Sequence, residues 1–118
     1  MTPDERARWL EQRRSGLGGT DVPRILGLAP PGWGGEFAVW AEKTGQSGGI
    51  DETEAMRWGR LLEPVVAEEW ARREDFTVQP APFVRSAEQW LCGSPDFIVH
   101  DGDATVGVLE VKTSSAWM

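Results

Sequence analysis

The spacing of apolar residues changes character at Glu74, and that change limits what the chain can become. Before it, Met56, Leu62, Val66 and Trp70 recur at helical intervals between Glu52 and Glu74, reinforced by Ala55, Trp58 and Val65. Pro64 sits inside that run and cannot donate to Arg60, so a kink or restart is predicted near Leu62. After Glu74 only short β-rich pieces follow, at 76–78, 83–85, 90–93, 96–99 and 105–112. His100-Asp101-Gly102-Asp103 separates the last two and carries an Asp-Gly turn signal, which predicts an antiparallel hairpin. Helices first and a meander second make an α+β chain.

The N-terminal part reads as three shorter helices. Thr2-Pro3-Asp4-Glu5 is a helix start with a Thr cap, Pro in the first turn and Glu placed to close a capping box. That helix is predicted to reach Arg14 with Ala7 and Leu10 inward, before Gly16-Leu17-Gly18-Gly19 breaks it. Thr20-Asp21 then caps a short helix with Val22, Ile25 and Leu26 inward, stopped by Gly27. Glu36 to Thr44 forms a third, with Phe37, Trp40 and Ala41 on one stripe and Gly45 beyond its end. Residues Gly45–Gly49 form a flexible link.

Composition narrows the function classes. A chain of 118 residues, 40% hydrophobic and 26% charged, has globular proportions and room for one domain over residues 1–118. No apolar run approaches the ~20 residues that span a bilayer, and the charged N-terminus lacks a signal-peptide core. A single cysteine, Cys92, excludes an internal disulfide and a Cys-rich metal site, which points to a reducing cytoplasm. The net charge of −7 argues against coating nucleic acid by electrostatics alone. Residues 1–24, however, set five arginines against four carboxylates, so this segment is the one that could meet a phosphate.

The chemistry concentrates in Asp96 and in Glu110-Val111-Lys112. Side chains alternate along a strand, so Glu110 and Lys112 share one side while Leu109 and Val111 face the other. With the hairpin centred near Gly102–Asp103, paired positions sum to about 205, and Asp96 falls opposite Leu109, within a residue of Glu110. Two carboxylates held close repel, and a divalent cation with oxygen ligands resolves that cost. Mg²⁺ suits two carboxylates plus the Val111 carbonyl. Lys112 beside a metal-activated water completes the parts of phosphodiester hydrolysis. Gly107-Val108-Leu109, just upstream, reads as buried core, where charges are costly unless they have work to do.

Asp96…Glu110-Val111-Lys112 resembles the PD-(D/E)xK nuclease signature, and the chain as a whole resembles the lambda-exonuclease/YqaJ-type viral recombinase family. The matching stretches, in the family's order, run from Arg13 to Asp21, Trp40 to Gly45, Trp58 to Pro64, Gly93 to Asp96 and Leu109 to Thr113. The resemblance implies a PD-(D/E)xK-like fold and a 5′→3′ exonuclease that degrades one strand of duplex DNA from its ends. It also implies a single-strand annealing protein as partner and a homo-oligomer as the full-length form. Asp96, Glu110, Glu63 and the Val111 carbonyl would bind Mg²⁺ or Mn²⁺, and Lys112 would be the catalytic lysine. Arg13 or Arg14, Thr20 and Ser94 would anchor the terminal phosphate. The backbone N–H groups of Gly18-Gly19-Thr20-Asp21 at a helix start agree with an anion site there.

Two alternatives stand beside this reading, a restriction-type endonuclease and a catalytically incomplete DNA-end-binding module. Family members continue past the lysine, and the apolar Ala116-Trp117-Met118 end would leave a sheet edge or face uncovered, so a C-terminally incomplete domain is expected. His100 is expected as a solvated turn residue, Cys92 as a small buried hydrophobe and the seven tryptophans as core anchors. Trp33, in a Gly/Pro loop, is the one considered for stacking on a base.

Overall fold

The computed structural model describes residues 2–47 and 51–114; Gly48 and Gly49 of the expected link, and the apolar Ala116-Trp117-Met118 end, lie outside them. The chain forms two compact units interleaved in sequence, one from residues 2–47 with 83–94, the other from 51–82 with 95–114. Neither unit is a single stretch of chain.

In the first unit, helix α1 (Pro3–Arg14) starts at the predicted capping box: Glu5 N–H donates to Thr2 Oγ1 (3.2 Å) and Thr2 N–H to Glu5 Oε2 (2.6 Å). Its inward face differs from the expected one. Ala7 and Leu10 are exposed, and the half-buried residues are Arg6, Trp9 and Arg13. Trp9 sets this face, because its indole N–H donates to Ser94 Oγ (2.9 Å) while its ring carries the Arg13 guanidinium at 4.6 Å. Beyond the helix, Leu17 forms a parallel bridge with Leu91. A Cβ on Gly16 would stand 2.9 Å from the Trp90 carbonyl oxygen, so this approach requires glycine. A two-stranded antiparallel ribbon, β2 (Val84–Arg85) with β3 (Cys92–Gly93), completes that side, and Arg85 reaches back to the Ser15 carbonyl at the end of α1 (3.4 Å).

Helices α2 (Asp21–Ile25) and α3 (Glu36–Lys43) pack on one another, and the buried residues of α2 are both charged. Val22, Ile25 and Leu26 are exposed, whereas Asp21 and Arg24 are buried. Arg24 makes a bidentate pair with Glu42 (2.9 Å for both bonds), and Lys43 Nζ lies 2.9 Å from Asp21 Oδ2. The expected apolar stripe on α3 is likewise rotated. Val39 is buried, while the Phe37 and Trp40 rings meet in a tilted pair, centroids 5.6 Å apart, in the open. The ion pairs explain the rotation, because a buried charge is tolerated only where an opposite charge meets it.

The second unit packs helix α4 (Glu54–Glu74) on a three-stranded antiparallel sheet of order β1-β4-β5, from β1 (Thr77–Pro80), β4 (Phe97–Asp101) and β5 (Ala104–Leu109). The helix runs through Pro64 without the expected restart near Leu62. Its period is as predicted but its phase is not. Gly59, Glu63, Ala67, Trp70 and Ala71 turn inward, whereas Met56, Trp58, Leu62, Val65 and Val66 are exposed. Small side chains at 59, 67 and 71 let the helix backbone approach closely, and Trp70 stacks on Phe76 at 5.8 Å.

Phe97 and Val99 on the central strand β4 form the core here with Ala67 and Ala71. Strand β5 is an edge and largely exposed, Val106 and Val108 included, so the expectation of buried core at 107–109 fails. His100 lies within β4 rather than in a solvated turn. Its Nδ1 is 3.2 Å from Thr105 Oγ1 and its Nε2 is buried. No tryptophan among the described residues is fully buried, and Cys92 is only half-buried; both expectations overrated apolar character as a guide to burial.

The charged core of the first unit yields a stability prediction. Burial alone would raise the Asp21 carboxyl, but the Gly18 N–H, Lys43 and Arg13 outweigh it and hold the group below the usual carboxylate range. Its contribution is therefore present above that range and lost as pH falls through the lowered value. Asp21→Asn should cost about 3 kcal/mol at neutral pH, since Lys43 then loses its buried counter-charge. Urea titrations should show the midpoint falling at constant slope, with the gap to the parent closing on acidification.

Candidate metal and phosphate sites

The hairpin turn Gly102–Asp103 sits where the sequence places it, with Asp101 paired to Ala104 and His100 to Thr105. A bulge between Val99 and His100 then shifts the register by one, so that Val99 pairs with Gly107, Ile98 with Val108 and Phe97 with Leu109. One further step sets Asp96 opposite Glu110 rather than Leu109. The shift has a chemical result: Asp96 N–H donates to Glu110 Oε1 (3.1 Å), and Val111 N–H donates to Asp96 Oδ2 (2.8 Å). Each carboxylate thus fixes the backbone of the other's segment with one oxygen and keeps the second. The strand itself ends at Leu109, three residues short of the predicted Lys112. Lys112 still shares a side with Glu110, its Nζ lying 3.7 Å from Glu110 Oε2.

Glu63 comes to the same place from α4. A Cβ on Gly59 would lie 3.3 Å from Thr113 Oγ1, so glycine one turn before Glu63 lets the helix press against the segment just past Lys112. The Glu63 carboxyl is pushed above its ordinary value, first by burial and then by the charges of Asp96 and Glu110, with Lys112 partly offsetting them. Three carboxylates and one ammonium therefore share an electrostatic neighbourhood. Among the described residues no three His, Cys, Asp or Glu side chains stand together as a finished cage for an ion. The donor chemistry nevertheless fits a hard divalent cation, being all oxygen and in negative excess.

The four residues matched to a phosphate anchor all lie in the first unit. Arg13 and Ser94 are joined through Trp9, as described above. Arg14 instead pairs with Glu11 at the surface (3.3 Å), so the two arginines that the sequence left equivalent have different surroundings. Thr20 is exposed and its side chain does not cap α2. The Gly18 N–H expected to face an anion donates to Asp21 Oδ2 (2.7 Å), which removes that amide from an anion site. Sequence reasoning assigned no side-chain contact to Trp9, to Asp21 beyond its place at a helix start, or to Lys43. The last two stand inside quoted family stretches, a signal that was present without a partner to give it meaning. Trp33 is exposed in its loop, with no ring contact among the described residues.

Residues 8–118 match the YqaJ-like viral recombinase domain, and the chain belongs to that family. The "Uncharacterized protein YqaJ" of Bacillus subtilis (strain 168) is 34% identical over 122 residues, a span covering 99% of this chain and 35% of the relative. The chain thus spans about a third of that relative's length. No solved structure shows a significant match. Among the described residues no helix is long and apolar enough to cross a membrane.

The raised Glu63 carboxyl makes the site's charge excess measurable. A folded-state value above the unfolded one favours the fold at low pH, and this benefit is lost as pH rises through the raised value. Glu63→Gln should therefore raise the metal-free melting temperature at neutral pH, with no gain at about pH 4, where the carboxyl is largely protonated. Mn²⁺ should stabilise the parent more than the variant. Thermal melts in EDTA and in Mn²⁺ decide this, and an unchanged metal-free melting temperature would mean that neither burial nor the neighbouring carboxylates disfavour the Glu63 charge.

Proposed function

We propose that this chain carries the metal-dependent nuclease site of a PD-(D/E)xK-type recombination exonuclease, hydrolysing phosphodiester bonds from 5′ ends of duplex DNA. The observation that carries this reading is the reciprocal clasp of Asp96 and Glu110 with Lys112 beside them and Glu63 electrostatically coupled to both carboxylates. Family membership supports the recombination setting.

Asp96, Glu110, Glu63 and the Val111 carbonyl would hold Mg²⁺ or Mn²⁺. When bound, the cation supplies Lewis acidity at the phosphoryl group and a lowered water pKa. Lys112, largely exposed beside Glu110, is placed to orient the attacking water and to offset charge developing on the phosphate. Arg13, Ser94 and Thr20 would receive the terminal phosphate, and Arg14, paired with Glu11, would not. Duplex DNA ends are the substrate, with a single-strand annealing protein and further copies of the full-length chain as partners.

Calorimetric titration with Mn²⁺ should show binding that Asp96→Ala abolishes; equal binding by the variant would reject the site. In Mn²⁺, nucleotides should be released from linear duplex and faster from 5′-phosphorylated than from 5′-hydroxyl ends. Arg13→Ala should erase that difference and Arg14→Ala should keep it. Cutting of closed circular DNA would favour an endonuclease, and end binding without cleavage a catalytically incomplete module.

A further inference from the structure

Lys43 has no part in the functional reading above, yet it is the group on which the first unit's polar contacts converge. It closes α3, and its Nζ donates to the carbonyl oxygen of Arg13 (2.6 Å) while lying 2.9 Å from Asp21 Oδ2. The Arg13 carbonyl belongs to the last turn of α1, where backbone oxygens lack helical partners and accept from elsewhere. The same Asp21 Oδ2 accepts from Gly18 N–H (2.7 Å), and the Gly18 carbonyl accepts from Asp21 N–H (3.1 Å). One ammonium therefore bridges the end of the helix that bears Arg13 and the glycine turn that bears Thr20.

This bridge spans the part of the unit that is hardest to hold still. Three of the four residues 16–19 are glycine, with the largest conformational freedom to lose on folding. Lys43 is itself anchored, because its neighbour Glu42 holds Arg24 with two bonds and Arg24 also lies 3.7 Å from Asp21. On the other side of Arg13, the Trp9 ring supports the guanidinium and the Trp9 N–H fixes Ser94 Oγ. Arg13 is thus held twice, by its carbonyl on Lys43 and by its guanidinium on Trp9.

We propose that Lys43 is a positioning residue for recognition of a 5′-terminal phosphate, setting Arg13 and the Thr20 turn in register by bridging the Arg13 carbonyl and the Asp21 carboxylate. The proposal rests on the assignment of Arg13, Thr20 and Ser94 to the terminal phosphate. Lys43 need not touch the DNA. An apolar side chain of similar length would keep the packing of the stem and lose both polar ties, leaving Asp21 without its nearest cation.

The test measures binding of the whole chain to 5′-phosphorylated and 5′-hydroxyl duplexes, labelled at a 3′ end, by fluorescence anisotropy in EDTA so that no cleavage intervenes. The unsubstituted protein should prefer the phosphorylated end by about tenfold, the scale of one or two charge-assisted hydrogen bonds. Lys43→Met should bind both ends equally. A role in stability alone would lower the melting temperature and leave the ratio of the two affinities intact, and that result overturns the proposal while the phosphate assignment stands. If the unsubstituted protein is indifferent to the phosphate, the assignment itself fails and the proposal fails with it. Should Lys43→Met lack a cooperative thermal transition, Lys43→Arg is read instead. It keeps the charge beside Asp21 but replaces the compact ammonium with a planar fork, so an undiminished preference in that variant also overturns the proposal.

Discussion

A charge removed from water must meet an opposite charge or strong hydrogen bonds, and this requirement organises both units of the chain. In the first unit it is met internally. Asp21 and Glu42 face Arg24 and Lys43, two negative groups against two positive, and the helices α2 and α3 turn their charged sides inward to make the match. In the second unit it is not. Glu63, Asp96 and Glu110 share one neighbourhood with Lys112, and the Glu63 carboxyl is raised first by its burial and then by the two neighbouring carboxylates, which Lys112 offsets only in part. The balanced cluster reads as scaffold, and the unbalanced one is the cluster on which the proposed cation site rests.

Two small backbone devices build the unbalanced cluster. The bulge at Val99/His100 adds one residue to the β5 side of the hairpin, which moves Glu110 into line with Asp96. Without it the carboxylates would stand one residue apart and on opposite faces, because a one-residue slip exchanges the faces of a strand. The second device is Gly59, whose missing side chain lets α4 press on Thr113 and carries Glu63 in from another element. Small residues at 67 and 71 continue the same close approach along the helix. Neither device contributes a carboxylate, yet the carboxylates come into one neighbourhood only because of them.

The exposed face of α4 has a related origin. A helix that packs through Gly59, Glu63, Ala67 and Ala71 must direct its larger apolar residues elsewhere, and Trp58, Leu62, Val65 and Val66 are exposed as a result. Close backbone approach and burial of the largest side chains are competing ways to pack a helix, and here the first prevails. The same competition rotates α1, where the polar tip of Trp9 and the guanidinium of Arg13 define the inner face instead of Ala7 and Leu10.

The sequence by itself determined the local features. The capping box at Thr2, the long helix ending at Glu74 and the turn at Gly102–Asp103 follow from propensities and hydrogen bonds between residues close in the chain, whereas the expected meander gives way to a sheet in which β1 passes over β2 and β3 to pair with β4. It also brought Asp96 and Glu110 near one another, since hairpin pairing is arithmetic once the turn is known. Tertiary structure decided which face of each helix turned inward, because that depends on partners far away in sequence. Asp21 meets Lys43 across 22 positions, Trp9 meets Ser94 across 85, and no periodicity encodes either meeting. It also decided the last residue of register. A bulge inserts one unpaired residue without a compositional mark, so the alignment of the two carboxylates became visible only when the strands were laid side by side.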